Sequence, residues 1–178
     1  MKKFLLFILT LGVLSASSIA NSQTIRIGTE GAYPPWNNIN SAGDLEGAEI
    51  DFGNEACKRM GVTCEWVTQD WDGIIPALLQ GKYDIIIAGM SITEERKEKV
   101  NFTTGYMTDG ARFAVLKDSG LSDLNIAGMS KVNLNNAGGK EQAAIGQLIA
   151  AMDGKTVCVQ SSTIHQNFLE KHMSGAVD

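Results

Sequence analysis

Arg96 is the residue of this sequence best suited to holding an anion. It lies in the charged run 94–99, shortly after the small-residue segment 88–91. An arginine fork can hold a carboxylate through two parallel charge-assisted hydrogen bonds. A helix that begins near Thr93 would add free backbone N–H groups. On composition alone, however, a solvated arginine among other charged residues is the more common arrangement.

The cysteines are a second group with possible chemistry. Cys57 and Cys64 lie seven residues apart with Gly61 between them, so an oxidising compartment favours a disulfide, with two buried thiols as the alternative. Cys158 falls in an apolar strand pattern, which predicts a buried thiol. The sequence contains no Cys/His spacing typical of a metal site, no Ser/His/Asp triad pattern and no phosphate-binding glycine loop. We therefore expect neither a metal nor a cofactor.

The first 20 residues have the pattern of a secretory signal peptide. Lys2 and Lys3 precede an apolar run at 4–14, and Ser18-Ile19-Ala20 is typical of a cleavage site. The run is too short to span a bilayer and no charged flank follows it, which disfavours a membrane anchor. Without the two lysines, 13 basic residues face 20 acidic ones, a formal charge of about −7. We expect an exported, periplasmic chain that is too acidic to suggest nucleic-acid binding.

Strand and helix patterns alternate along the rest of the chain. Alternating or continuous apolar runs predict strands, and amphipathic runs closed by glycine predict helices. The run after Asp84 is continuously apolar, as in a parallel strand covered on both faces, and Thr93 is a predicted helix N-cap. This alternation predicts βαβ units and an α/β fold. The strands are expected at 24–29, 64–67, 84–88, 113–116 and 156–160, and the helices at 50–60, 71–80, 93–99, 140–152 and 162–173.

Four blocks of sequence, in order and spacing, resemble the periplasmic polar amino-acid-binding proteins, family 3 of the bacterial solute-binding proteins. The resemblance covers essentially the whole mature chain, most weakly from 119 to 151. Within that family the chain is most similar to the lysine/arginine/ornithine-, histidine- and opine-binding proteins, which serve ABC importers. The blocks are 26–36 (RIGTEGAYPPW), 51–55 with the Cys57/Cys64 pair, 71–78 (WDGIIPAL) and 84–96 (DIIIAGMSITEER).

The resemblance implies the type II periplasmic binding protein fold, in which two α/β lobes joined by a hinge close on the ligand. Lobe 1 would span residues 21–110, and residues 111–178 would form the start of lobe 2. Chains of the family usually continue well beyond this length, so lobe 2 is expected to be incomplete. It would lack the carboxylate that the family uses for the ligand's α-amino group. We accordingly expect weaker binding by this chain than by an extended one.

The resemblance also implies which residues of lobe 1 bind the ligand. Arg96 becomes the carboxylate-binding residue, with the Ser91 hydroxyl beside it. Tyr33 and Trp71 line the slot for the ligand side chain, with a place in the core as the alternative for either, and Trp36 is expected to be structural. An acidic residue faces the distal end of a basic ligand, and a small-residue loop contributes backbone groups. The implied positions are Glu30, Tyr33, Trp71, Ala88, Gly89, Ser91 and Arg96.

In lobe 2, the segment 160–165 matches the loop that closes over the ligand. Gln160 opens this segment. Thr163 and the backbone around Ile164 would donate to the ligand carboxylate at a helix N-terminus. His165 resembles the histidine of opine binders, although a lone histidine is also common at the surface.

The implied function is the capture of a polar or basic amino acid (arginine, ornithine, lysine or histidine) or an opine-like derivative. A monomer would deliver it to the permease subunits of an ABC transporter in the inner membrane, without enzymatic activity. An enzyme on the same fold, such as a cyclohexadienyl dehydratase, would need an acid catalyst over the substrate ring. No motif singles one out, although Glu30 could bind a cation or donate a proton. A sensory ligand-binding domain of a receptor is the third interpretation.

Overall fold

The computed structural model describes residues 23–124, 126 and 138–175. Strand β1 (Thr24–Thr29) lies at the centre of a parallel sheet, between β5 (Thr63–Thr68) and β6 (Ile85–Ile86). The strands predicted at 24–29 and 64–67 are thereby confirmed. The run at 84–88 also forms a parallel strand, but one that pairs with β1 over two residues only. The leader predicted at 1–20 lies outside the described residues.

Strand β6 is covered less completely than its apolar sequence predicts. Ile87, just after the strand, is 8% exposed, whereas Ile85 is 41% exposed. The expectation that both faces are covered is therefore wrong for Ile85, because the described helices do not shield that side chain. Before the strand, Asp84 forms a two-armed ion pair with Arg26 of β1, with its shortest N–O distance at 2.7 Å. This pair ties the start of β6 to the central strand.

Helix α1 (Ala48–Met60) follows the prediction of a helix that ends at Gly61. Gly61 adopts a left-handed conformation with φ 69°, and its N–H bonds to the last turn of the helix. The chain then turns directly into β5. Cys57 and Cys64 face each other across this turn, with Cα atoms 6.0 Å apart and sulfur atoms at bonding distance. This geometry suits the expected disulfide, which would link α1 covalently to the sheet.

The core lies between the parallel sheet and its helices. One cluster joins Ile27 of β1 to Cys57 and Ile87. A second gathers around Tyr83, which is 1% exposed. A Cβ at Gly28 would lie 2.5 Å from the Tyr83 ring, so only glycine lets this aromatic side chain pack against β1. The predicted helix at 71–80 forms a 3₁₀ turn (Trp71–Gly73) followed by α2 (Ile74–Leu79).

A small antiparallel sheet between β1 and α1 is absent from the sequence-based expectations. It consists of β2 (Ala32–Tyr33), β3 (Asn37–Ile39) and β4 (Leu45–Glu46). The connection from β2 to β3 contains a cis Pro34–Pro35 bond. These strands have only two or three residues each, too few for an alternating pattern to stand out.

The helices of the C-terminal half match their predictions, but its strands do not. Helix α4 spans Gly139–Met152 and α5 spans Ile164–His172. The strands expected at 113–116 and 156–160 are irregular, because no described strand lies alongside to pair with them. Cys158 is consequently exposed, and its prediction as a buried thiol is wrong. None of the helices in the described ranges is long and apolar enough to cross a membrane.

Candidate ligand-binding site

The Arg96 pocket, a cavity of about 110 Å³, lies beyond the carboxyl ends of β1 and β6. Ligands of open parallel sheets commonly bind at this edge, where loops rather than strands form the walls. All eleven residues that the sequence proposed for ligand binding line this one cavity. Their role in binding a ligand stays a prediction. The lining residues are Glu30, Tyr33, Trp71, Ala88, Gly89, Ser91, Arg96, Gln160, Thr163, Ile164 and His165.

Helix α3 (Glu94–Lys97) presents Arg96 to the pocket. As predicted, Thr93 caps this helix, with its hydroxyl accepting from the Arg96 backbone N–H at 3.2 Å. The guanidinium is half-buried and donates to the Ser91 carbonyl at 2.7 Å. Burial lowers the pKa of Arg96, and nearby Glu95 acts in the opposite direction. Among the residues that the structure describes, no carboxylate lies within ion-pair distance of Arg96.

The loop at 160–163 closes one side of the Arg96 pocket. Its Ser162 carbonyl accepts from the Arg96 guanidinium at 3.1 Å and from the Trp71 indole N–H at 3.0 Å. The Arg96 guanidinium carbon also lies 5.3 Å from the centre of the Trp71 ring, a cation–π arrangement. Trp71, Arg96 and the loop thus form one polar cluster.

Two further hydrogen bonds fix the same loop against the N-terminal half. Gln160 donates to Glu30 at 2.6 Å, and the Ser161 hydroxyl lies 3.0 Å from both carboxylate oxygens of Asp72. Asp72 and Ser161 were not among the predicted residues. Their only sequence signal is their position beside Trp71 and Gln160, since both residue types are common on solvated surfaces.

Helix α5 begins at the pocket. Thr163 is 7% exposed and caps the helix, accepting from the Gln166 N–H at 3.2 Å. Its hydroxyl donates to the Gln160 carbonyl at 2.7 Å, so this proton is used within the loop itself. Direct donation from Thr163 to a ligand would require that bond to open. Ile164 and His165 are exposed at the start of the helix.

Backbone forms the wall at Gly89. This glycine has a left-handed φ of 59°, and a Cβ there would lie 3.3 Å from the Tyr33 ring. The pocket wall is therefore closed to larger residues at this position. Trp36, which was expected to be structural, is not in the pocket lining, and its carbonyl accepts from the Glu49 N–H at the start of α1.

Three residues behind the pocket were not predicted from the sequence: Asn37, Glu49 and Tyr106. Glu49 is 2% exposed and accepts hydrogen bonds from Asn37, Gly89 and the Tyr106 hydroxyl. In the sequence, Glu49 looks like an ordinary acidic residue in the first turn of a helix, where a negative charge is generally favourable. Burial raises the pKa of Tyr106 well above its usual range, and the Glu49 hydrogen bond raises it further.

A larger cavity of about 410 Å³ lies beside α3 and contains none of the predicted residues. Its lining combines three apolar side chains with one lysine, one asparagine and one threonine. That lysine is paired with Glu94 at 2.8 Å. The residues concerned are Ile92, Lys97, Val100, Asn101, Phe102 and Thr103.

Comparison with known proteins assigns the family. The profile described as bacterial extracellular solute-binding proteins, family 3, matches residues 25–172. The chain belongs to this family. The family 3 protein described here therefore has the type II periplasmic binding protein fold, as the resemblance implied. Its division into lobes at residue 110 stays a prediction.

Curated relatives of this family 3 protein include binding proteins from two organisms. The chain is 43% identical over 166 residues to the octopine-binding periplasmic protein of Rhizobium meliloti, covering 93% of this chain and 56% of that protein. It is 45% identical over 124 residues to the L-arginine-binding protein of Pseudomonas aeruginosa, covering 69% and 48% of the two chains. The chain thus spans about half the length of the curated relatives it matches.

Among solved structures, the family 3 protein is similar to an ancestral amino acid-binding protein, AncCDT-1, described as a precursor of cyclohexadienyl dehydratase. The two share 32% identity with a TM-score of 0.68, over 88% of this chain and 60% of that one. The superposition thus extends over most of this chain.

Proposed function

We propose that this family 3 protein captures a polar or basic amino acid, or an opine-like derivative, in the periplasm and delivers it to an ABC importer. The observation that carries the proposal is Arg96, a half-buried guanidinium in a pocket whose other polar residues include Glu30. A cation and an anion in one small cavity suit a zwitterionic ligand that carries a second charge.

The carboxylate end of the ligand is assigned to Arg96. The guanidinium has five N–H donors, and the Ser91 and Ser162 carbonyls engage two of its nitrogen atoms. A ligand carboxylate would replace the Ser162 carbonyl or share the fork with it. Exchange of a neutral acceptor for a charged one strengthens the hydrogen bond, which favours ligand over the internal contact.

The distal end of the ligand is assigned to Glu30. Within the described part of the chain, the hydrogen bond to this carboxylate comes from Gln160 at one oxygen, Oε1. The second oxygen is then available to a guanidinium, ammonium or imidazolium group. Tyr33 and Trp71 supply aromatic surface for the alkyl part of such a ligand and can attract its cation.

The relatives and the N-terminal pattern support the cellular part of the proposal. The Rhizobium meliloti relative is named as an octopine-binding periplasmic protein, and the Pseudomonas aeruginosa relative as an L-arginine-binding protein. The basic and apolar leader at 1–20 is typical of an exported protein. We propose that the mature chain acts as a monomer and as a binding protein rather than an enzyme.

Titration calorimetry with a ligand panel tests the proposal. L-Arginine, L-ornithine, L-lysine, L-histidine and octopine are expected to bind more tightly than L-leucine or L-glutamate. Glu30→Gln should reduce the preference for basic over apolar ligands, because the contact between the carboxylate and the ligand cation is lost. Glu46→Gln is the control, since Glu46 is exposed on β4 and outside the pocket. A preference for leucine, or no binding by any member of the panel, would contradict the proposal.

A further inference from the structure

Glu49 lies behind the Arg96 pocket without lining it. We propose that it is a positioning residue, which holds two walls of the pocket in their binding geometry and thereby sets ligand affinity. This inference rests on the proposed binding function.

Burial of Glu49 is nearly complete, at 2% exposure, and its contacts are specific. Oε2 accepts from the Asn37 amide at 2.7 Å, and Oε1 accepts from the Gly89 N–H at 2.7 Å and from the Tyr106 hydroxyl. Both oxygens are acceptors, as expected for a carboxylate. A buried carboxylate is costly to desolvate, and hydrogen bonds from three partners offset that cost here.

The first wall held by Glu49 is the one formed by Glu30 and Tyr33. Asn37 donates to Glu49 through its amide nitrogen, and its amide oxygen accepts from the Gly31 N–H at 2.7 Å. Gly31 lies between the end of β1 and Tyr33. The relay therefore runs from Glu49 through Asn37 to the segment that presents the aromatic ring and the distal carboxylate.

The second wall is the Gly89 segment, and here the contact is direct. The left-handed φ of 59° at Gly89 turns its N–H towards Glu49. The Tyr33 ring lies within 3.4 Å of the position that a Cβ at Gly89 would occupy, so the two walls meet at this point. A shift of the Gly89 backbone would move both the wall and the ring that packs on it.

The hydrogen-bond pattern predicts that the amide of glutamine cannot replace the carboxylate. In Glu49→Gln, an NH₂ group would face the Asn37 NH₂ group, two donors with no acceptor between them. Rotating Asn37 by 180° would instead turn its NH₂ group towards the Gly31 N–H. Either arrangement leaves a buried polar group unpaired.

A second substitution should restore the hydrogen bond between positions 37 and 49, with donor and acceptor exchanged. In the double variant Glu49→Gln/Asn37→Asp, the glutamine NH₂ group donates to one oxygen of the carboxylate introduced at position 37. The other oxygen of that carboxylate accepts from Gly31, and the glutamine oxygen still accepts from Gly89 and Tyr106. The buried negative charge moves by one side chain and every partner is satisfied.

The test measures L-arginine affinity by calorimetry and the amide resonances of Gly31 and Gly89 by NMR, on whole exported protein below its unfolding temperature. Glu49→Gln should weaken arginine binding about tenfold or more and displace both resonances. The double variant should recover the affinity and the Gly89 resonance, whereas the Gly31 resonance should report its new carboxylate acceptor. Tyr106→Phe removes one hydrogen-bond donor and leaves the carboxylate, so it should weaken arginine binding less. It replaces Glu49→Gln in the test if that variant does not fold. Glu46→Gln is the matched control.

Two outcomes would overturn the inference, and they are distinguishable. Wild-type protein that binds none of the panel ligands would refute the proposed function and this role with it. The positioning role alone would be refuted if the wild type binds arginine and a folded Glu49→Gln or Tyr106→Phe variant binds it equally well. That variant must show a displaced Gly89 resonance, which proves that the wall has moved.

Discussion

The guanidinium of Arg96 donates to the backbone carbonyl of Ser162, 66 residues further along the chain, at 3.1 Å. The same carbonyl accepts from Trp71, and Ser162 has an unusual positive φ of 58° for a residue other than glycine. Such a conformation persists when surrounding contacts hold it. The contacts here are made by two side chains of the proposed binding site, so we expect occupation of the site to be coupled to the conformation of the loop.

Substitution of Arg96 should affect both ligand and loop. Arg96→Ala is expected to weaken L-arginine binding by about 2 kcal/mol or more, because the ligand carboxylate loses its charged partner. Arg96→Lys should recover only part of this, since an ammonium keeps the charge but not the fork. Calorimetry measures both effects. Arg112→Ala is the control, because that side chain is 81% exposed and outside the pocket. Full affinity in Arg96→Ala would remove Arg96 from the site.

Asp72→Ala should loosen the loop at 160–163. The substitution removes the carboxylate that accepts from the Ser161 hydroxyl, whose oxygen lies 3.0 Å from each carboxylate oxygen of Asp72. A neutral-to-charged hydrogen bond of this kind at the surface stabilises by about 1 kcal/mol, so ligand dissociation should accelerate roughly fivefold. Stopped-flow dissociation and hydrogen exchange at residues 160–163 measure the change. Asp70→Ala is the control, since the Asp70 side chain makes no capping hydrogen bond. Equal dissociation rates in the two variants would show that the Ser161–Asp72 hydrogen bond does not hold the loop.

The disulfide should be present in exported protein and should stabilise it. Non-reducing mass spectrometry is expected to find a peptide linking Cys57 to Cys64. The double variant Cys57→Ser/Cys64→Ser should lose about 2–3 kcal/mol of unfolding free energy, as expected for closing a short loop. Cys158→Ser should change stability little, because Cys158 is exposed. Free thiols at both Cys57 and Cys64 would show that the expected pairing is wrong.

The Arg26–Asp84 pair should make stability depend on pH in the acid range. Hydrogen bonds from Arg26 lower the pKa of Asp84 below its ordinary 3.8. The folded state therefore binds the proton less readily than the unfolded state. The contribution is present above the ordinary pKa and is lost as pH falls through the lowered one.

Melting temperatures of wild type and Asp84→Asn test this dependence. Their difference should be constant near neutral pH and shrink below about pH 4. Asp51→Asn, an exposed position on α1, provides the control. A difference that grows on acidification would have the wrong sign for a carboxylate held in its charged form.

Short sequence patterns correctly predicted the strands and helices that depend mainly on their own residues. Alternation at 24–29, the glycine after Met60 and the Thr93 cap identified β1, α1 and α3 correctly. The apolar runs at 113–116 and 156–160 were wrongly predicted as strands. Such a run shows that a segment could pair, whereas pairing itself depends on a neighbouring strand that the sequence pattern does not reveal.

The candidate site was predictable only in part. Residues as distant as Glu30 and His165 were brought together by the family resemblance, since no spacing rule relates them. Glu49 escaped notice because its burial depends on Asn37, Gly89 and Tyr106 folding around it. Helical position alone made it look solvated, and only the assembled structure shows otherwise.

Gly89 marks a part of the pocket wall where the backbone leaves little room for substitution. A side chain at this position would meet the Tyr33 ring and require a left-handed backbone, so changes of ligand preference must arise elsewhere. Tyr33 and Ile164 are exposed and lie on separate segments outside the parallel sheet, so substitutions there leave that sheet untouched. A saturation library should therefore keep glycine at 89 while tolerating many residues at 33 and 164. New specificities would then come from the rims of the pocket, with the scaffold beneath them unaltered.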